Sequence, residues 1–162
     1  MKKDLFCDYI LKYQTDLFRY AKSIVGNQAD GEDAVSETIL KAYEKIDQLR
    51  SKRKFKPWIF KILTNECYAI LRKRRKMHLT DNGEVPEQKC YDTIEEGDIL
   101  KLIHQMKPQY RDVLILYYYS EFSVKEIASI LEIPQGTVKS RLSRGRNQLK
   151  YIYEKEGYRY EL

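Results

Sequence analysis

Lys139, Arg141, Arg144, Arg146 and Lys150 are interleaved with Ser140, Ser143 and Asn147, and no acid occurs from Gln135 to Tyr151. Guanidinium forks and short hydroxyl or amide side chains pair with base edges, while neighbouring cations hold phosphates. The chemistry these residues suit is recognition of a polyanion, not the making or breaking of a bond. A helix must position them. At about 100° per residue, Val138, Leu142, Gly145 and Leu149 share one face. Ser140, Ser143, Arg144 and Asn147 then lie roughly opposite, with Lys139 and Arg146 on one flank and Arg141 on the other. Upstream, Ser123 and Glu126 have the spacing of a capping box, in which hydroxyl and carboxylate satisfy each other's backbone amides. Val124, Ile127, Ala128 and Leu131 follow as one apolar face. Glu132-Ile133-Pro134 reads as a tight turn, with Ile133 placed to plug the angle between helices, and Gln135-Gly136-Thr137 opens the next helix. Two helices so joined, the second polar and basic outside, have helix-turn-helix geometry suited to the major groove. The alternative is an ordinary helical hairpin with a wet basic face.

A second basic block lies earlier. Arg50, Lys52, Arg53, Lys54, Lys56, Lys61, Arg72, Lys73, Arg74, Arg75 and Lys76 are opposed only by Glu66, a local charge of +10 within a chain whose net charge is +6. From Met77 to Leu100 the sign reverses, with seven acids against Lys89. Two basic blocks and an acidic spacer point to two polyanion-binding surfaces. Phe55, Trp58 and Tyr68 beside the first block supply the aromatic platforms that single strands stack on, although Trp58 also begins an apolar stripe and reads as core.

Apolar spacing is helical nearly throughout. Leu5, Tyr9, Leu17, Tyr20, Ala21 and Ile24 return to one face, and Gly26-Asn27 stops that helix. Asp30 to Asp33 puts carboxylates at the positive end of a second, with a stripe of Ala34, Thr38, the Lys41 stem, Ala42 and Ile46. After a basic loop from Arg50 to Lys54, Pro57 sits in the first turn of a third helix. This helix runs through Ile59, Ile62, Leu63, Ala69 and Leu71 to the Arg72–Lys76 cluster. Gly83, Pro86 and many polar residues make the next stretch a linker. Ile99, Leu102, Ile103 and Met106 form a further turn set ended by Pro108, and Val113, Leu114, Leu116 and Tyr117 another. The expected fold is all-α: two small helical domains, residues 1–76 and 96–162, joined by an acidic flexible linker over 77–95.

Cys7, Cys67 and Cys90 are scattered and odd in number, which argues against a disulfide framework and for a reducing cytoplasm. They and His78 and His104 lack the paired spacing of a zinc site. No apolar run reaches the roughly 18 residues of a membrane span, and charges interrupt the N-terminal segment as a signal peptide.

The wording of both halves resembles one family. Pro108-Gln-Tyr-Arg-Asp-Val-Leu, Phe122-Ser-Val-Lys-Glu-Ile-Ala and Gly136-Thr-Val-Lys-Ser-Arg-Leu-Ser-Arg-Gly-Arg look like region four of the sigma-70 family. Asp30-Gly-Glu-Asp-Ala-Val-Ser-Glu-Thr, Lys41-Ala-Tyr and Phe55-Lys-Pro-Trp-Ile-Phe-Lys-Ile-Leu-Thr-Asn-Glu look like region two. Keeping these two regions alone, the chain is similar to the extracytoplasmic-function (ECF) sigma factors. The resemblance implies a non-enzymatic, cytoplasmic subunit that binds core RNA polymerase and promoter DNA, needing no metal, cofactor or small-molecule substrate. It also implies an anti-sigma factor as partner, which in this family is often membrane-bound.

By that resemblance Asp33, Ser36 and Glu37 contact the polymerase clamp. Ser51, Lys52, Phe55 and Asn65 capture the melted −10 element. Lys139, Ser140, Ser143, Arg144 and Asn147 read the −35 element. Arg141, Arg146, Lys56, Arg72, Arg74 and Arg75 hold the DNA backbone. Region four also holds the polymerase flap, and the acidic linker threads the polymerase cleft like a mimic of nucleic acid. Ser36 stands where the family usually has Gln, Gly31 where it usually has Ala, and the loop Ser51-Lys-Arg-Lys is unusually basic. Two rival readings stay open: a dimeric operator-binding regulator, and a nucleic-acid enzyme with Asp30, Glu32 and Asp33 as a metal site.

Overall fold

A computed structural model describes residues 3–80 and 98–155, all of them in helices or the turns between them. They form two compact units divided between Asp92 and Thr93. The expected linker lies largely outside the described residues, as does the segment after Lys155.

In the first unit three helices pack on one another: α1 (Lys3–Val25), α2 (Gln28–Lys45) and α3 (Phe55–Thr80). The reversal after α1 follows from two adjacent residues. Gly26 takes φ 83°, the left-handed conformation open to glycine, and its amide bonds Lys22 O at 2.8 Å. Asn27, extended at φ −150°, then caps α2 by accepting from the Asp30 amide at 2.8 Å. The core sets Leu17, Tyr20, Ala21 and Ile24 of α1 against Ala34, Thr38 and Ala42 of α2, as the periodicity implies, and against Ile59, Phe60, Leu63 and Cys67 of α3, where the expected Ile62, Ala69 and Leu71 are only half-buried. Its polar members are satisfied. Tyr20 and Thr64 hydroxyls meet at 2.8 Å, and Thr38 and Thr64 donate to carbonyls one turn back.

Two elements depart from the sequence reading. The basic loop contains a 3-10 turn over Lys52–Lys54 that leads directly into α3. That helix in turn passes the Arg72–Lys76 cluster and ends at Thr80, four residues inside the expected linker. Met77, His78 and Leu79 present no helix breaker; the first is Gly83.

In the second unit α7 (Gln135–Lys155) packs on α4 (Asp98–His104), α5 (Pro108–Leu114) and α6 (Val124–Leu131). Leu102, Ile103 and Met106 are buried as expected, but at the start of α4 Leu100, 1% exposed, takes the place expected for Ile99, 48% exposed. Pro108 is the first residue of α5, where its missing amide costs nothing. Over Ile115–Tyr119 the chain widens into a π-helical turn, closed by the Ser120 amide bonding Ile115 O at 3.1 Å.

Candidate nucleic-acid interface

The helix-turn-helix forms as its cap and turn residues require. Ser123 accepts from the Glu126 amide at 3.1 Å, and Glu126 Oε1 accepts from the Ser123 amide at 3.1 Å. Glu132 then adopts φ 56°, and the Ile133 amide reaches Ala128 O at 3.1 Å. This left-handed closure turns the chain into Pro134 and α7. Ile127 and Ile130 of α6 are buried, and Val124, Ala128, Leu131 and Ile133 are half-buried.

On α7, Val138, Leu142 and Gly145 are buried and Leu149 half-buried. At Gly145 α7 packs tightly on α5: a Cβ there would lie 3.2 Å from Leu114 Cδ1 and 3.5 Å from Tyr110 Cβ. The packing sends Lys139, Ser140, Ser143, Arg144 and Asn147 to the exposed face, with Arg141 half-exposed on its flank. Its small polar and basic side chains are of the kinds that pair with base edges and phosphates.

Arg146 is placed differently. Its Nε donates to the Tyr118 hydroxyl at 2.6 Å, and its guanidinium lies 5.6 Å and 5.7 Å from the Tyr117 and Tyr118 ring centroids. The π turn thus draws this side chain toward the protein, into a cleft of about 200 Å³ shared with Ile99, Tyr118, Leu149, Lys150 and Tyr153. Arg146, expected to hold the DNA backbone, is exposed at the rim of this cleft. Helical spacing carries no signal of a π turn.

In the first unit, the outward face of α2 carries Asp33, Ser36 and Glu37, all exposed. Leu40, 61% exposed, adds an apolar residue to the same face that the motif residues do not include. Its signal was available, since Asp33, Glu37, Leu40 and Glu44 recur at helical spacing opposite the buried stripe.

Phe55 is corrected as a base contact. Its side chain is fully buried, ringed by Phe6, Tyr9, Tyr13 and Trp58 at centroid distances of 5.0–6.1 Å. Trp58, read from sequence as core, is half-exposed, as is Ile62, while Asn65 is exposed. These three share one accessible strip of α3 at i, i+4 and i+7. Ser51 is half-buried and Lys52 exposed just before it.

Among the expected backbone-holding residues, Arg72 and Arg75 are exposed and Lys56 is half-buried, 5.7 Å from the Tyr13 ring centroid. Arg74 is committed within the fold. Nη1 donates to Val25 O at 3.0 Å, and Nη2 pairs with Asp30 Oδ2, so one guanidinium joins the end of α1 and the start of α2 to α3. The Asp30 carboxyl is held below its ordinary value, first by the Asn27 side-chain amide and then, against the cost of burial, by Arg74. Glu32 accepts from Gln28 Nε2 at 2.8 Å. Of the acids at the start of α2, Asp30 is thus used in bracing α2 to α3, while Glu32 and Asp33 are exposed. Among the described residues no group of three or more His, Cys, Asp or Glu is placed to hold a metal, and no helix is long and apolar enough to cross a membrane.

Two family patterns match in tandem: Sigma-70 region 2 over residues 9–77 and Sigma-70 region 4 over residues 96–149. The ECF RNA polymerase sigma factor SigW of Bacillus subtilis is 30% identical, over 91% of this chain and 88% of that protein. RNA polymerase sigma factor SigV of the same organism is 29% identical, over 95% and 94%. Among solved structures, the sigma factor RpoE of Bartonella quintana, determined with the anti-sigma factor NepR, is 31% identical. It superposes with a TM-score of 0.82 over 94% of this chain and 98% of that one. The fold is that of a two-region sigma factor. The chain belongs to the ECF subfamily of the sigma-70 family, and its function is to direct promoter-specific initiation by RNA polymerase.

Proposed function

We propose that the three exposed surfaces divide the work of initiation, as a cytoplasmic sigma subunit with no catalysis of its own. The outward face of α2, with Asp33, Ser36 and Glu37 around Leu40, binds the clamp of core polymerase; an apolar centre rimmed by charge is how contact surfaces concentrate their affinity. The strip Trp58, Ile62 and Asn65 takes up bases of the melted −10 strand, with Ser51 and Lys52 at its edge and Lys56, Arg72 and Arg75 on phosphates. Phe55 supports the strip from beneath. The α7 face reads the −35 element through Lys139, Ser140, Ser143, Arg144 and Asn147, while Arg141 holds the backbone. The −35 assignment rests on the buried Val138–Leu142–Gly145 face, which leaves those five residues outward together.

An anti-sigma factor completes the reading, since the RpoE relative was solved bound to one. It acts by covering the surfaces that polymerase or promoter would use, and a membrane-bound inhibitor is one form it takes. Run-off transcription with purified core polymerase on fragments of the source genome tests the whole. New discrete transcripts that need both proteins are expected. Specific duplex binding by the protein alone, with no transcripts, points instead to an operator-binding regulator.

A further inference from the structure

Lys41 stands on α2 between surfaces of opposite sign. Glu37 and Glu44, about one turn to either side, continue the acidic outward face. Across from it α3 belongs to the basic run in which Glu66 is the one acid between Arg50 and Lys76. The structure pairs the two: Lys41 Nζ donates to Glu66 Oε1, with the lysine side chain 41% exposed and the glutamate 16%. Glu66 follows Asn65 directly and lies one turn beyond Ile62, at the margin of the strip described above.

We propose that Lys41 is a positioning residue for promoter capture: it neutralises Glu66, so that the Trp58–Ile62–Asn65 strip meets the phosphates of a melted strand without an opposing carboxylate. This rests on the reading of that strip as the −10 surface. The Lys41 amine is held above its ordinary value, foremost by the bond to Glu66 and then, against the cost of desolvation, by the charges of Glu66, Glu37 and Glu44. Such a part-buried ion pair also braces α2 against α3. Its effect on a polyanion passing nearby is a separate quantity, and the two roles predict different signs.

The test uses holoenzyme assembled on core polymerase and a pre-melted promoter fragment, titrated at several salt concentrations. The variants are Lys41→Met, which keeps the apolar stem, Glu66→Gln, and the double. Lys41→Met is expected to weaken fragment binding about two- to fivefold and lower the salt slope, because a bare carboxylate then faces the strand. Glu66→Gln is expected to tighten binding, and the double to return close to the parent value. If both single variants weaken binding alike and the double is no worse, the pair only braces α2 against α3 and the proposal is overturned. It is equally overturned if Lys41→Met acts wholly through affinity for core. Trp58→Ala and Asn65→Ala serve as the check on the underlying reading: if neither changes binding to the pre-melted fragment, that reading of the strip has failed as well.

Discussion

Replacing Arg74 by Ala separates a structural role from a DNA-holding one. The guanidinium donates to Val25 O at 3.0 Å and pairs with Asp30, with side chains 21% and 35% exposed. A hydrogen bond from a charged group contributes about 1.5–3 kcal/mol, and a solvent-screened ion pair at most about 1 kcal/mol more. A loss of about 2 kcal/mol is therefore expected, confined to the first unit. For a unit of this size that corresponds to a fall in midpoint of roughly 8–16 °C.

Trp58 is the single tryptophan of the chain, so its fluorescence reports unfolding of the first unit alone. The Asp30 carboxyl adds a pH signature. Its folded value is depressed below 3.8, so the stability it contributes is fully present above 3.8 and lost as pH falls through the lower folded value. Arg74→Ala narrows that acid-dependent loss; Asn27, the larger cause, preserves the rest. The exposed neighbour Arg75 is the control, expected to lower the salt slope of promoter binding by about one without moving the midpoint. If Arg74→Ala leaves the Trp58 midpoint unchanged and flattens the salt slope as Arg75→Ala does, the bracing argument is wrong and Arg74 holds phosphate.

Other consequences are open to measurement. Arg144→Ala should cost about 1–3 kcal/mol on a −35 duplex and relax sequence preference at one position, read by competition binding against single-base variants. Phe55→Ala should lower the Trp58 unfolding midpoint, with a loss of about 3–5 kcal/mol for emptying a fully buried ring site; an unchanged midpoint with weakened promoter melting would restore Phe55 as a base contact. Ser123→Ala removes half of the capping box and should destabilise the second unit by about 1 kcal/mol in urea unfolding followed by circular dichroism. Gly145→Val forces a branched side chain against buried Leu114 and should cost about 1–3 kcal/mol in the same assay, with the −35 contacts failing in parallel.

Local and periodic features are legible in the order of the residues alone. The Ser123–Glu126 cap, the Gly26-Asn27 reversal and the Val138–Leu142–Gly145 face each depend on residues within a few positions of one another. Backbone geometry over so short a span is nearly fixed by side-chain type. The same periodicity separates the exposed recognition face of α7 from its buried side, and the charge blocks mark where a polyanion is welcome.

Tertiary structure decided what any one side chain does when its partner is distant in the chain. Phe55 and Trp58 open the same helix and look alike as aromatic platforms. Only the packing of Phe6, Tyr9 and Tyr13 on α1 buries the first and leaves the second half-exposed. Arg74 and Arg75 are adjacent and chemically identical, yet a turn of about 100° points one at the α1–α2 junction and the other at solvent. Arg146 finds Tyr118 across 28 positions because a π turn shifts the register of the tyrosines. Glu66 is neutralised by a lysine 25 residues earlier. Charge and periodicity act along the chain and can be read there; which cation is spent inside the fold depends on contacts that exist only once the helices have packed.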